Sequence, residues 1–158
     1  MHITIICVGK IKEKFFRDAV DEYVKRLSRF AKVDIAEIKD EKIPDNASEK
    51  EMEAILEKEG NAILAKIPKN SMVAAMCIEG TEISSTQLAE KMKSAFMQTS
   101  NMTFIIGGSL GLWEKVKQAS DWRMSFGKIT LPHQLMRVVL AEQIYRAFKI
   151  NANESYHK

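Results

Sequence analysis

The stretch Phe104–Lys149 decides the fold and reads FIIGGSLGLWEKVKQASDWRMSFGKITLPHQLMRVVLAEQIYRAFK. It continues an apolar run, Met102–Ile106, that leads straight into the turn Gly107–Gly111 (GGSLG). Glycines at a strand end let a ligand approach the backbone because no Cβ stands in the way, and the amides of such turns can donate to it. A second loop, Ser125–Pro132, follows. Two such loops close together in sequence predict a ligand held largely by main chain.

The helical pattern that closes this stretch places an arginine in the middle of its apolar face. At 100° per residue, apolar side chains surround Arg137, and polar ones gather on the opposite, solvated side: Glu142, Gln143, Arg146 and Lys149. A guanidinium in an apolar surface must be paired, or must reach a ligand or partner. A structural, salt-bridged arginine and a functional cation both remain open.

Three segments of the chain carry a resemblance to a known family: GGSLGL (107–112), SFGKITLPHQLMRVVLAEQIYRAFKI (125–150) and the terminal YHK (156–158). Together with IICVGK (5–10), they make the chain similar over its whole length to the RlmH-type methyltransferases. This is the small SPOUT (α/β-knot) family that methylates N3 of a pseudouridine in 23S ribosomal RNA. Gly127 differs, since a serine is frequent there in the family.

The resemblance implies a C-terminal trefoil knot, S-adenosylmethionine as the cofactor, 23S rRNA within the ribosome or large subunit as the substrate, and a homodimer. It places the cofactor between the end of the third strand, the glycine turn and the second loop. The implied cofactor-binding residues are Met76, Gly107, Gly108, Phe126, Gly127, Lys128, Ile129, Thr130 and Leu131.

Methyl transfer to a ring nitrogen is an in-line displacement that depends mainly on positioning. The N3–H of pseudouridine must also lose its proton, so a base or a cation that stabilises the anion helps. The candidates are His133, His157 and Arg137, and the family's shared ending favours His157. Tyr156 could stack on the target base. His133 follows Pro132, and we interpret it as a helix cap.

Other ligand motifs fit the glycine turn poorly. It is not G-x-G-x-x-G, and the chain has neither a P-loop nor a G-x-S-x-G serine. A neutral pocket of backbone and apolar side chains remains, which suits S-adenosylmethionine. Two alternatives stay open: a non-catalytic ribosome-binding or assembly module, and a nucleotide-binding regulator that uses the turn for phosphate.

The rest of the chain predicts an α/β fold with a mainly parallel sheet and helices on both faces. Strand patterns cover Ile3–Val8, Val33–Ile38, Met72–Ile78 (closed by Glu79-Gly80), Met102–Ile106 and Trp122–Ser125. Helical patterns cover the stripe Phe16 to Phe30, Ser48 to about Ile67, a helix capped by Ser84 or Ser85, Leu112–Ala119 and the closing helix. The order of the strands cannot be derived from this alternation.

Composition predicts one globular domain over residues 1–158, with 46% hydrophobic and 28% charged residues. No run is long enough to span a bilayer, and no signal peptide is indicated. Cys7 and Cys77 lie in apolar runs, which favours reduced thiols and a cytoplasmic location. No His/Cys cluster suggests a metal site.

The net charge of +3 at pH 7 is unevenly distributed. Basic residues outnumber acidic ones in residues 1–32 and 112–158, and acidic residues dominate between them. If the fold brings both ends together, they could form a face that binds a polyanion. Near the first helix, a cluster of cations suits either an anionic partner or a solvated loop: Lys10, Lys12, Lys14 and Arg17.

Overall fold

A computed structural model of the protein describes residues 1–157, in which five strands alternate with five helices. The elements are β1 (His2–Val8), α1 (Lys14–Leu27), β2 (Lys32–Ile38), α2 (Glu49–Leu64), β3 (Ser71–Glu82), α3 (Ser85–Gln98), β4 (Asn101–Ile106), α4 (Glu114–Gln118), β5 (Trp122–Ser125) and α5 (His133–Asn151). Each predicted strand and helix is therefore present.

The strands form one sheet in the order β2-β1-β4-β3-β5, and every neighbouring pair is parallel. The parallel sheet predicted from the alternation is confirmed. Because all strands run the same way, they end at one common edge, which includes Val8, Ile106 and Ser125 and which we call the carboxyl edge. The strand β5 pairs with β3 and not with β4, so the chain crosses β3 after leaving β4.

Helices cover both faces of the sheet, as predicted. On one face, α5 packs against α1 and α3 over a core that includes Ile5 and Phe104. On the other face, α2 contacts α4 over a core that includes Ile6 and Ile105. Successive residues of a strand point to opposite faces, which explains why these neighbours belong to different cores. None of the helices within residues 1–157 is both long and apolar enough to cross a membrane.

The helix starts follow the sequence more closely than the ends do. Ser48 and Ser84 each form a capping box, with Glu51 and Gln87 respectively. The helix α2 ends at Leu64, before the predicted Ile67, because the amides of Lys66 and Ile67 bond to carbonyls only three residues back, as in a 3₁₀ turn. The helix α4 is likewise shorter than its predicted span of 112–119.

The sequence predicts a third strand over Met72–Ile78, closed by Glu79-Gly80, but β3 continues to Glu82. Both Met76 and Thr81 pair with Met124, so the four residues between them bulge out of the ladder. A Cβ on Gly80 would lie 2.8 Å from the backbone of Met124. The glycine therefore marks a close approach of two strands within a bulge, and not a strand end.

Candidate active site

A cavity of about 440 Å³ opens at the carboxyl edge, beside the bulge of β3 and the ends of β4 and β5. Its walls come from the β3 bulge (76–79), the glycine turn (106–112), the loop 124–131 except residue 128, Lys117 of α4, and His133 and Met136 of α5. This volume lies in the range of small-molecule and cofactor pockets. Most of the lining is main chain or apolar side chain, as the sequence predicts.

All but one of the predicted cofactor-binding residues line this single cavity: Met76, Gly107, Gly108, Phe126, Gly127, Ile129, Thr130 and Leu131. The exception is Lys128, whose exposed side chain lies outside the lining although both of its neighbours belong to it. Met76 is also 8% exposed and packs in the core, so it serves both the core and the cavity wall.

The glycine turn is shaped by its own backbone. A Cβ on Gly107 would lie 2.5 Å from the carbonyl oxygen of Gly111, which already fills the space beside it. The amide of Gly111 donates to the carbonyl of Gly108 at 3.0 Å, and Gly111 has a φ of +82°. The close packing of the turn itself therefore requires a glycine at position 107, and its contact with a ligand stays a prediction.

The second loop is held by a buried serine. The Ser125 hydroxyl donates to the Gly127 carbonyl at 2.9 Å and accepts from the Gly127 amide at 3.1 Å. Gly127 has a φ of +117°, where a side chain is strained. No atom lies within 4 Å of a Cβ placed there. The loop therefore leaves the cavity side of Gly127 open.

Two polar contacts lie in the cavity wall. Glu79 in the bulge forms an ion pair with Lys117, whose hydrogen bond lowers the pKa of the Glu79 carboxyl. His133 Nε2 lies 3.4 Å from the Ser109 hydroxyl. Pro132 is the N-cap of α5, and no side chain caps this helix, so the interpretation of His133 as a cap is wrong. His133 instead lines the cavity.

Arg137 is 2% exposed and does not line the cavity. Its guanidinium donates to Glu37 Oε1 at 3.0 Å, to the Val8 carbonyl at 3.1 Å and to the Gly9 carbonyl at 2.7 Å. These contacts correspond to the salt-bridged alternative. The arginine joins α5 to the ends of β1 and β2.

The predicted tail residues pack on the polar side of α5. The Tyr156 hydroxyl donates to Glu142 Oε1 at 3.1 Å, and the Tyr156 ring lies 4.7 Å from the Arg146 guanidinium. Burial, together with hydrogen bonds that include the one to Glu142, raises the pKa of Tyr156 to about 12, so it remains a phenol near neutral pH. His157 Nδ1 lies 3.4 Å from Arg146 Nη1.

His157 borders a second, shallower groove beside the cavity. The groove is lined by residues 83–86 together with Phe126, Val139, Gln143 and His157. Phe126 also lines the cavity and is therefore a wall common to both. The structure thus places His157 next to the cavity, while Arg137 is buried away from it.

Sequence reasoning missed three groups of site residues. The sequence predicts a strand through Ile78 that Glu79-Gly80 closes, although a glycine inside a strand pattern also indicates a bulge. Lys117 carries no local signal. The helical spacing places Arg146 and Glu142 on a solvated side, although their i,i+4 spacing also allows the ion pair that holds the tail.

A parallel α/β sheet with a largely neutral cavity at its carboxyl edge defines a class of proteins that bind nucleotide-like ligands at the ends of their strands. A family model described as a predicted SPOUT methyltransferase matches residues 1–157, and the chain belongs to this family. The family assignment from sequence is confirmed, and membership implies the C-terminal knot.

Full-length relatives agree with the family assignment. The chain is 54% identical to "Ribosomal RNA large subunit methyltransferase H 1" of Clostridium perfringens (strain SM101 / Type A). It is also 54% identical to "Ribosomal RNA large subunit methyltransferase H" of Bifidobacterium animalis subsp. lactis (strain AD011), and 52% identical to the protein of that name from Clostridioides difficile (strain 630). Each comparison covers 100% of both chains.

Proposed function

We propose that this methyltransferase transfers a methyl group from S-adenosylmethionine to N3 of a pseudouridine in 23S ribosomal RNA. The observation that carries the proposal is the meeting of three sequence-distant segments, at Met76, at Gly107-Gly108 and at 126–131, around one cavity. The relatives, which are named as methyltransferases of large-subunit ribosomal RNA, support the choice of substrate. A cytoplasmic location belongs to the same proposal and is consistent with the free thiols of Cys7 and Cys77.

The donor groups of the cavity fit the cofactor. An adenine ring needs apolar walls and backbone hydrogen bonds, which Met76, Leu131 and the glycine turn can offer. The amino acid part carries a carboxylate and an ammonium, and the ion pair of Lys117 and Glu79 provides complementary charges in the same wall. When bound, S-adenosylmethionine supplies an electrophilic methyl group.

The remaining chemistry falls to side chains of the chain itself. We assign acceptance of the N3 proton to His157, which borders the groove next to Phe126. Tyr156 remains protonated and holds the tail through Glu142, so we assign it the positioning of His157 and no proton transfer. Arg137 acts as a positioning residue, because it fixes the helix that carries His133 and Met136 into the cavity.

A homodimer is part of the proposal. The side chains of Leu135, Met136 and Val139 are half-buried on α5, away from Arg137, and a second copy related by twofold symmetry would cover them. Within one chain the tail packs on its own helix, through Tyr156 and Glu142, so it is not without partners of its own. Dimerisation would bring that tail next to the partner's groove.

Subunit exchange tests which copy supplies the tail. We expect Ser109→Trp, which fills the cavity, and a chain truncated after Ile150 each to be inactive. If sites are shared, mixing the two variants restores activity, since one site of the heterodimer combines an intact cavity with an intact tail. Proven heterodimers without activity would mean that each tail serves its own subunit.

Calorimetry with S-adenosylmethionine, ATP and GTP tests the proposed cofactor. Ser109 and Ser100 are exposed serines at opposite ends of β4, and only Ser109 lines the cavity. We expect Ser109→Trp to abolish binding of S-adenosylmethionine and Ser100→Trp to leave it unchanged. Preferred binding of ATP or GTP would indicate a nucleotide-dependent regulator, and no binding at all an assembly module.

A further inference from the structure

We infer that Lys10 and Lys12, on the segment that joins β1 to α1, and Phe15, in the first turn of α1, form a surface that binds single-stranded RNA beside the cavity. We call these three residues the N-terminal patch. The inference rests on the proposed function, because it assigns a contact surface for the RNA substrate. It adds residues outside the cavity and the tail.

Phe15 is unusual among the aromatic residues of the described part of the chain, since 64% of it is exposed and every other one is buried or half-buried. Its ring lies 4.4 Å from that of Phe16, which is half-buried in the apolar stripe of α1. One ring is thus anchored in the fold and its neighbour faces solvent. An exposed ring that is already fixed in place can stack with a nucleobase at low conformational cost.

The patch carries ammonium groups that are free to meet phosphates. Lys10 and Lys12 are both exposed, and neither forms an ion pair within residues 1–157. Lys14, by contrast, is paired with Asp18 at 2.5 Å. Cations together with an exposed aromatic ring match a polyanion that also presents bases, which favours single-stranded RNA over a protein or duplex partner.

The segment is fixed next to the cavity by hydrogen bonds to α5 and β2. The amides of Lys12 and Glu13 donate to Gln134 Oε1 at 2.8 and 3.2 Å, and Gln134 directly follows the cavity residue His133. The amide of Ile11 donates to Glu37 Oε1 at 3.3 Å, the same oxygen that pairs with Arg137. An RNA strand on the patch would therefore run along the α5 side of the cavity.

Fluorescence anisotropy with a labelled single-stranded RNA of about 16 nucleotides, measured over a series of salt concentrations, tests the inference on the full chain. We expect the double variant Lys10→Ala/Lys12→Ala to bind the RNA on the order of tenfold more weakly. The plot of log affinity against log salt has a negative slope, and the magnitude of this slope should fall by about 1.4 in the variant. We expect Phe15→Ala to bind on the order of tenfold more weakly with an unchanged slope.

The matched control is Lys66→Ala/Lys69→Ala, which removes two exposed lysines that precede β3 at the opposite edge of the sheet. It should bind RNA like the wild type. All variants should retain the wild-type melting temperature and affinity for S-adenosylmethionine, which separates failure of this inference from failure of the proposed function. Wild-type RNA affinity in both patch variants would overturn the inference, as would a wild-type protein that does not bind the RNA. A Phe15→Ala variant that changes only the oligomeric state would also overturn it.

Discussion

The buried guanidinium of Arg137 donates a 3.0 Å hydrogen bond to the Glu37 carboxylate, which lies 100 residues earlier in the chain. The same guanidinium donates to the carbonyls of Val8 and Gly9, the last residue of β1 and the glycine that follows. One side chain thus fastens the final helix to the carboxyl edge of the sheet. The position of His133 and Met136 in the cavity wall depends on this attachment.

Arg137→Ala should therefore lower the free energy of unfolding by about 3 kcal/mol, because it removes a buried guanidinium and its hydrogen bonds to Glu37, Val8 and Gly9. Arg137→Lys should also be destabilising, since one ammonium cannot replace a planar fork that serves three acceptors. Arg123→Ala, which removes a surface ion pair with Glu114, should cost less than about 1 kcal/mol. Urea unfolding measures all three. An Arg137→Ala protein of wild-type stability that has lost only methyl transfer would make Arg137 an active-site cation.

The stability of the protein should depend on pH through Glu59, which is 6% exposed behind the glycine turn. Burial raises the pKa of its carboxyl, and the charges of Glu41 and Asp40 add to the rise. Because the pKa of Glu59 is higher in the folded than in the unfolded protein, the protonated carboxyl stabilises the fold. This contribution to the free energy of unfolding is complete at pH values below the unfolded pKa, about 4.3, and is lost as the pH rises through the folded pKa. Glu59→Gln stays neutral and keeps an oxygen to accept from the Glu41 amide.

Thermal unfolding over a pH series compares the two proteins. The variant should melt like the wild type in acid and at a higher temperature near neutral pH. A difference in melting temperature that does not change with pH would contradict this assignment. So would a melting temperature of the wild type that rises relative to that of the variant as the pH rises.

The two thiols should differ in how the cofactor affects them. Cys77 is half-buried in the cavity wall, and burial raises its pKa, so alkylation should be slow but measurable. S-adenosylmethionine at about ten times its dissociation constant should slow that reaction about tenfold. Cys7 is fully buried with a pKa of about 12, and it should stay unreactive with or without the cofactor. Mass spectrometry of the alkylated peptides measures both, and equal labelling of Cys77 in both conditions would place the cofactor elsewhere.

The contacts between Arg146 and the tail should matter for methyl transfer and not for binding of S-adenosylmethionine. Arg146→Ala removes the cation that stacks on Tyr156 and lies beside His157. A misplaced catalytic group costs on the order of a hundredfold in rate, so turnover should fall by ten- to a hundredfold while affinity for S-adenosylmethionine is retained. Lys50→Ala, on the exposed surface of α2, is the control. Turnover equal to that of the control would show that methyl transfer does not depend on the contacts of Arg146 with the tail.

Periodicity and capping residues predict most of the fold. The apolar runs specify buried parallel strands, and Ser48 and Ser84 mark helix starts through capping boxes that the structure contains. Local patterns do not encode which strands pair, because pairing depends on contacts between distant segments. The place of β5 beside β3 could therefore not be derived from residues 122–125 alone.

The sequence predicts many of the residues at the cavity but not the contacts that hold them in place. The resemblance points to eight of the residues that line the cavity, and the structure adds that the carbonyl of Gly111 also requires a glycine at position 107. The apolar surroundings of Arg137 are visible from the helical spacing, but its partner Glu37 is not, because it comes from another strand. Contacts of this kind appear only when the chain is folded.

The most direct test of the account is to locate the methyl group that the protein adds. Large ribosomal subunits from cells without the gene would be incubated with the protein and S-adenosylmethionine, and 23S rRNA would be digested and its nucleosides separated by liquid chromatography and mass spectrometry. Ser109→Trp serves as the inactive control. We expect one additional methyl group, carried on N3 of a pseudouridine. A methyl group on any other nucleoside, or none from a folded protein that binds S-adenosylmethionine, would contradict it.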